Sequence, residues 1–255
     1  MLLCDSAGPV ARLTLNRPDA RNALSTGLMA ALQDALDRVA SDNAVRVVVI
    51  AANGPAFCAG HDLRELRADP RREAYEALFA QCSRLMTGIV RLPKPVIARV
   101  HGTATAAGCQ LIASCDLAIA AKSAQFATPG VNIGLFCSTP MVALSRAVPR
   151  KTAMEMLLTG DAIDANHAMH AGLVNRVVDD GALDASVAEL AAKIAAKSRH
   201  VLAIGKEAFY RQIELGLDDA YAYAGAVMTR NMLTADAREG IDAFLAKRKP
   251  VWQDR

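Results

Sequence analysis

The run Val96 to Ala121, VIARVHGTATAAGCQLIASCDLAIAA, constrains this chain more than any other stretch. Val96 to Val100 alternates as a strand and ends at His101 and Gly102. Thr103 to Gly108 is a turn with almost no side-chain bulk. A helix then starts near Ala107 and carries Leu111 and Ile112 inward. It gives way to Cys115, Asp116 and a second strand. A strand that feeds a bare turn into a helix start leaves free N–H groups at the positive end of a helix dipole. Such donors hold an anion or a developing oxyanion. The same small residues also suit a close-packed turn that only lets a helix sit on a sheet.

The neighbouring segments read as alternating strands and helices. Pro9 to Asn16 alternates as a strand and runs into the loop NRPDARNALS. Ser25 is placed to cap a helix from Thr26 to Ala40, with Leu28, Leu32, Leu36 and Val39 on one face. Val45 to Ala51 is continuously apolar, as in a strand buried on both faces. Ala74 to Leu92 is amphipathic, with Leu78, Cys82, Leu85, Ile89 and Val90 inward, and Pro93 and Pro95 end it. Gln125 to Thr128 and Val174 to Val178 are short strands. Helices are expected over Met141 to Ala147, over Thr152 to Leu158 and from Asp164 through Leu173. From about Ala182 the signal is helical, with breaks near Ser198, Leu215 to Asp218 and Thr234. An α/β fold with mostly parallel pairing follows. It divides into a core over residues 1–195 and a helical region over 196–255.

Composition narrows the functional classes. The chain has 255 residues, is 53% hydrophobic, and carries a net charge of +3, too small to indicate a nucleic-acid or membrane-surface partner. No apolar run approaches membrane-spanning length. None of the six cysteines forms a Cys-x-x-Cys pair, and several lie in apolar runs. That usage indicates reduced, buried thiols rather than a disulfide framework or a zinc site, and a cytoplasmic protein is expected.

A second loop, FCAGHDL over Phe57 to Leu63, has the character of the first: it follows a buried strand and opens a helix. Side by side, the two turns offer convergent backbone donors. With FCAGHDL and HGTATAAGCQLIASCDLAIA, the runs AQFATPGVNIGL, AMEMLLTGDAIDANHAMHAGLVNRVV and EGIDAFLAKRKP resemble, in order, the enoyl-CoA hydratase/isomerase (crotonase) superfamily over nearly the whole chain. LFCSTP, AVPRK and KRKPVW are similar to one subgroup within it.

The resemblance implies a crotonase-like spiral of ββα units with a C-terminal helical trimerisation region, assembled as a homotrimer or dimer of trimers. It implies acyl-CoA as ligand, the coenzyme A thioester being substrate rather than cofactor, with no metal. The thioester oxygen would rest on the N–H groups of His61 and Ala107. Ala20, Arg21 and Ala23, with Ala59, Asp62, Leu63 and Arg64, would line the CoA path, Arg21 and Arg64 being placed for its phosphates. The tail would bring Phe244 and Lys247 to CoA from a neighbouring helix. Arg21 and Arg64 also read as ordinary exposed arginines, and Asp62 and Asp116 as structural acids at a helix start and a helix end.

At the acid positions the chain departs from the family's hydratases. Gln110 stands at the first glutamate, Gly130 at the second, and Ser138 at a third acidic position used by some relatives. Paired carboxylates let one group act as base while the other acts as acid. An amide cannot take that part and glycine has no side chain, so water addition is not expected. The alternatives are another thioester-enolate reaction, such as decarboxylation, or acyl-CoA binding without catalysis. The side chain of His61 is expected to face solvent or CoA, and Cys137 to be a buried thiol.

Overall fold

The computed structural model describes residues 1–255, the side chain of Ala7 excepted. The chain opens as a hairpin of β1 (Leu2–Ala7) and β2 (Val10–Leu15), and α1 (Thr26–Ser41) leads to β3 (Val47–Ala52). From β3 onward the backbone winds. Each turn lays one long strand in a first sheet and one short strand in a second, then adds helix. β3 is followed by β4 (Ala56–Cys58), α2 (Leu63–Ala68) and α3 (Arg72–Arg91). β5 (Val96–Val100) is followed by β6 (Thr103–Thr105) and α4 (Ala107–Ser114). β7 (Leu117–Ala121) is followed by β8 (Gln125–Ala127), a 3-10 turn at Pro129–Ile133, α5 (Pro140–Ala147) and α6 (Arg150–Thr159). After β9 (Ile163–Asp164), α7 (Ala165–His170) and β10 (Arg176–Val178), the chain is helical: α8 (Leu183–Ala195), α9 (Arg199–Gln212), α10 (Leu217–Met232) and α11 (Ala235–Leu245).

The first sheet has the order β1-β2-β3-β5-β7-β10, parallel except for β1. The second has the order β4-β6-β8-β9, parallel except for β9. This is the expected mixed α/β architecture of ββα turns. Every residue of β3 is buried, because the sheet is covered on both faces. Val48 and Ile50 join the core that contains Leu28, Leu32 and Leu85, while Val47 and Val49 meet Leu183 and Val187 of α8. Successive side chains of a strand point to opposite faces, so one apolar run serves two cores.

Local chemistry sets the helix ends. The Ser25 Oγ accepts the Leu28 N–H at 3.1 Å, and Leu28, Leu32, Leu36 and Val39 are buried under α1. Asp164 caps α7 through the His167 N–H at 2.7 Å. That helix stops at His170 rather than Leu173, because Gly172 turns the chain with φ +87°. Thr103 to Thr105, expected as bare turn, pair as a strand between β4 and β8.

The helices after residue 196 are tied to the strands. Asp116 Oδ2 accepts from Val96 N at 2.6 Å and from Lys206 Nζ at 2.7 Å, and Oδ1 accepts from Tyr210 OH at 2.9 Å. Lys206 Nζ also donates to the carbonyls of Ile89 and Lys94. Burial pulls the Lys206 pKa down while Asp116 opposes the shift. Asp116 is thus structural, as its place after a helix suggested, and it holds α9 on the ends of α3 and β5.

Candidate acyl-thioester site

The two small-residue turns meet. Gly60 lies at φ +95°, where glycine alone is unstrained. A Cβ built on it would come within 2.9 Å of Ala106 Cβ and 3.4 Å of Ala107 N, so the turns touch. The loop before α1 is stitched to the same place. Ala59 N–H donates to Arg21 O at 3.0 Å, Leu24 N–H to Gly60 O at 2.7 Å, and Asp62 N–H to Leu24 O at 3.2 Å. His61, between the last two bonds in a parallel bridge to Leu24, therefore turns its own N–H away from Leu24. Among the described residues, neither the His61 N–H nor the Ala107 N–H has an acceptor. Ala107 is the first residue of α4, so the helix dipole adds to its donor.

Backbone strain holds this arrangement. Ala106 adopts φ +49°, ψ −116°, fixed by its N–H to Ala127 O at 2.9 Å. A non-glycine residue there costs about 1–3 kcal/mol, and such strain gathers at functional sites. Gly108 packs directly on the carbonyl of Cys58, and its built Cβ would lie 2.8 Å from Cys58 Cβ. The turn is therefore close-packed and donor-bearing at once.

Of the positions expected on the CoA path, Ala23 is buried, Ala20 and Ala59 are half-buried, and Arg21, Leu63 and Arg64 are exposed. Asp62 caps α2 through Arg64 N at 3.1 Å and pairs with Arg17 at 3.0 Å. Burial works against its charge, but those partners outweigh it and hold its pKa low. Sequence reading passed over Asn22, which is wholly buried at φ +55°. Its amide donates to the carbonyls of Asn53 and Ala56 and accepts the Arg17 N–H. The signal was the asparagine at a chain reversal, a residue that tolerates the left-handed region. Phe244 (82% exposed) and Lys247 lie at the end of α11, which packs on α9 and α10. The fold does not bring them to the turns of their own chain.

The acid positions are filled otherwise. Gln110 is 5% exposed, and its Oε1 accepts from Cys82 Sγ at 3.8 Å. Burial pushes the Cys82 thiol up to about 12, so it stays protonated. The Gln110 Nε2 has no partner among the described residues. The side chain lines a cavity of about 1320 Å³ bounded by α3, α4, α5 and α9. Gly130 is enclosed: a Cβ there would lie 2.7 Å from Leu135 O and 2.9 Å from Cys137 Sγ. Ser138 is exposed, and its hydroxyl donates to Phe136 O at 3.3 Å, with no base beside it. Cys137 is a buried thiol, as expected, with its pKa raised by desolvation. The His61 ring, expected toward solvent or CoA, instead packs edge-on against Phe79 at 5.7 Å, with both ring nitrogens buried. Desolvation lowers its pKa. The Leu24 carbonyl opposes that shift, although neither ring nitrogen makes a hydrogen bond.

Comparison with known proteins fits this geometry. The family model for enoyl-CoA hydratase/isomerase matches residues 5–255. A protein of Xenopus laevis named enoyl-CoA hydratase domain-containing protein 3, mitochondrial, is 49% identical over 95% of this chain and 83% of its own. The crystal structure of an enoyl-CoA hydratase from Mycobacterium smegmatis superposes with a TM-score of 0.97, at 57% identity over 98% of each chain. That of human enoyl-CoA hydratase domain-containing protein 3 gives 0.96, at 46% identity over 98% of this chain and 99% of that one. The expected cytoplasmic location does not stand, since the curated relatives from Xenopus, rat, human and zebrafish carry mitochondrial names. Free cysteines are expected in any reducing compartment and so do not separate the cytoplasm from the mitochondrial matrix. On the family match, the parallel spiral and the paired turns together, this chain belongs to the enoyl-CoA hydratase/isomerase family.

Proposed function

We propose that the protein binds acyl-CoA and polarises the thioester carbonyl between the His61 and Ala107 N–H groups. The observation that carries this reading is the contact of the two turns at Gly60, with both amides lacking a protein acceptor. Preorganised donors in a site shielded from water stabilise enolate charge without reorganising at the moment of reaction. The CoA chain would pass Ala20–Ala23 and Ala59–Leu63, with Arg21 and Arg64 at its phosphates. Coenzyme A enters as substrate, and the reading invokes no separate cofactor.

Water addition is not the chemistry these residues favour. Loss of a proton-transfer group costs about 10²- to 10⁴-fold per group, and both positions lack a carboxylate. Enolate chemistry that needs little acid–base help, decarboxylation among it, suits the site better. Binding without turnover is the second reading, favoured by the packing that fills Gly130. Residues 196–255 are read as the region of subunit contact in a trimer or dimer of trimers. Leu217, Leu233, Phe244 and Leu245 there are each more than 70% exposed. In that assembly Phe244 and Lys247 would reach the CoA of a neighbour.

Titration calorimetry with butyryl-CoA, alongside a crotonyl-CoA hydration assay, tests the reading. Binding is expected, with hydration slower by about four orders of magnitude or more than a two-glutamate site supports. Absence of binding overturns the reading, and rapid hydration overturns its chemistry.

A further inference from the structure

The ring of His61 has polar atoms that the fold leaves unused. Nδ1 and Nε2 are both buried, and neither has a hydrogen-bond partner. Among the described residues no other side chain has two such atoms. An unprotonated imidazole carries one N–H and one lone pair, so a donor and an acceptor are both left over. Native folds rarely leave buried polar atoms in that condition, and a catalytic part is among the few reasons for it. The aromatic neighbour of the ring, Phe79, has no polar atom to offer its nitrogens.

Phe79 places the ring. It lies on α3 three residues before Cys82, whose thiol meets the Gln110 amide. Side chains three apart on a helix are neighbours, with Cβ atoms about 5–6 Å apart. One stretch of α3 therefore receives a side chain from each small-residue turn: His61 from the first, and Gln110, just after Ala107, from the second. At their bases the turns touch, a Cβ built on Gly60 lying 3.4 Å from Ala107 N. The unused N–H groups of His61 and Ala107 are on either side of that contact, and the ring belongs to the same residue as one of them. Other groups beside the turns are committed elsewhere. The Asp62 carboxylate pairs with Arg17 and caps α2. Burial pushes the Cys58, Cys82 and Cys109 thiols up to about 12, so they stay protonated. The imidazole differs: desolvation holds its pKa below the ordinary histidine value, which favours the form with a free lone pair.

Resting on the acyl-thioester reading above, we propose that the His61 side chain is a catalytic residue that moves a proton at C2 of the bound acyl group. A thioester oxygen on the His61 N–H puts C2 two bonds further on, in reach of a side chain anchored at the same residue. One ring nitrogen takes the C2 proton as the C–H bond breaks. That electron pair forms the C1–C2 double bond, and the carbonyl π pair moves to the oxygen held by the His61 and Ala107 N–H groups. Return of the proton from the imidazolium to C2 reverses the step, and exchange with solvent in between replaces it. One residue thus supplies an oxyanion donor through its backbone and a base through its ring. A single group of this kind serves a reaction that moves one proton at C2, and it does not replace the acid and base pair that water addition needs.

The experiment follows deuterium uptake at C2 of butyryl-CoA in D₂O by mass spectrometry, with the intact protein. The parent protein is expected to exchange C2 at a rate proportional to its concentration. His61→Phe keeps an aromatic ring to pack on Phe79 and removes both nitrogens, while His61→Gln keeps polar atoms that take no proton at neutral pH. Each should slow exchange by about 10²- to 10⁴-fold. The Kd for butyryl-CoA on the same proteins, by calorimetry, reads the backbone N–H, which every substitution retains. Variants that still bind butyryl-CoA but exchange C2 at the slowed rate bear the inference out. Binding without exchange in the parent protein overturns it and leaves the acyl-thioester reading standing. Absence of binding in the parent overturns both. Exchange at the parent's rate in both variants overturns the assignment to His61. Exchange that falls only in step with binding gives the ring a structural part and overturns the catalytic one.

Discussion

Gly108→Ala is expected to destabilise the fold by at least about 4 kcal/mol and to abolish acyl-CoA binding. The new methyl group would be driven into the carbonyl of Cys58 and to 2.8 Å from its Cβ. Overpacking usually costs about 1–3 kcal/mol because a side chain can give way. Here the obstacle is backbone, and neither side can retreat. Cys58, Ala107 and Leu111 are fully buried, so β4 and α4 are held from behind. Separating them would also part the His61 and Ala107 amides. A loss of that size is a large fraction of the 5–15 kcal/mol that a typical domain has. Gly205→Ala is the control. Gly205 lies within α9, where an added Cβ meets nothing within 4 Å, and alanine there should stabilise by about 0.5–1 kcal/mol. Urea midpoints compare the two. A Gly108→Ala protein as stable as the parent would refute the close packing of the turns.

The second large effect concerns the missing glutamates. From sequence alone, restoring carboxylates at Gln110 and Gly130 looks like a route to a hydratase. The packing says otherwise for Gly130. Its φ is not in the left-handed region, so the obstacle is space: Leu135 O and Cys137 Sγ already occupy the room a Cβ needs. Gly130→Glu is expected to cost about 2–4 kcal/mol, since the turn Pro129–Ile133 must open to admit it. The double variant with Gln110→Glu should gain no crotonyl-CoA hydration. The carboxylate at residue 110 would be buried beside the Cys82 thiol, where desolvation raises its pKa, and its partner would be displaced. A stable double variant that hydrates crotonyl-CoA tenfold faster than the parent would show that residue 130 still commands the reacting carbons.

Much of the architecture was legible because it is locally encoded. Leu28, Leu32, Leu36 and Val39 lie under α1 as their spacing requires, Ser25 and Asp164 cap the helices that follow them, and the break expected near Thr234 falls between α10 and α11. The continuous apolar run at β3 signalled burial on both faces. Illegible were β4, β6 and β9, which have only two or three residues and pair with segments far along the chain. No periodicity develops over so few positions. The paired turns could be proposed from FCAGHDL and TATAAGCQ, but their contact rests on Gly60 and Gly108, whose neighbours only the fold supplies. The same holds for Gln110. Its identity marks a departure from the family's hydratases, while its contact with Cys82, on another helix, is supplied only by the fold. The packing of the His61 ring against Phe79 is of this kind as well. Asp116 was recognisable as structural from its position, yet its partners Lys206 and Tyr210 lie 90 and 94 residues away.

Two backbone amides are proposed to polarise a thioester carbonyl in a site that lacks the acids for water addition. Isotope-edited infrared difference spectroscopy of butyryl-CoA carrying a ¹³C thioester carbonyl, bound to the intact protein, reads that polarisation directly. Two converging N–H donors weaken the C=O bond, so the bound carbonyl band should move to lower wavenumber than in water. A band that stays in place, or moves to higher wavenumber as desolvation alone would cause, contradicts the assignment of His61 and Ala107.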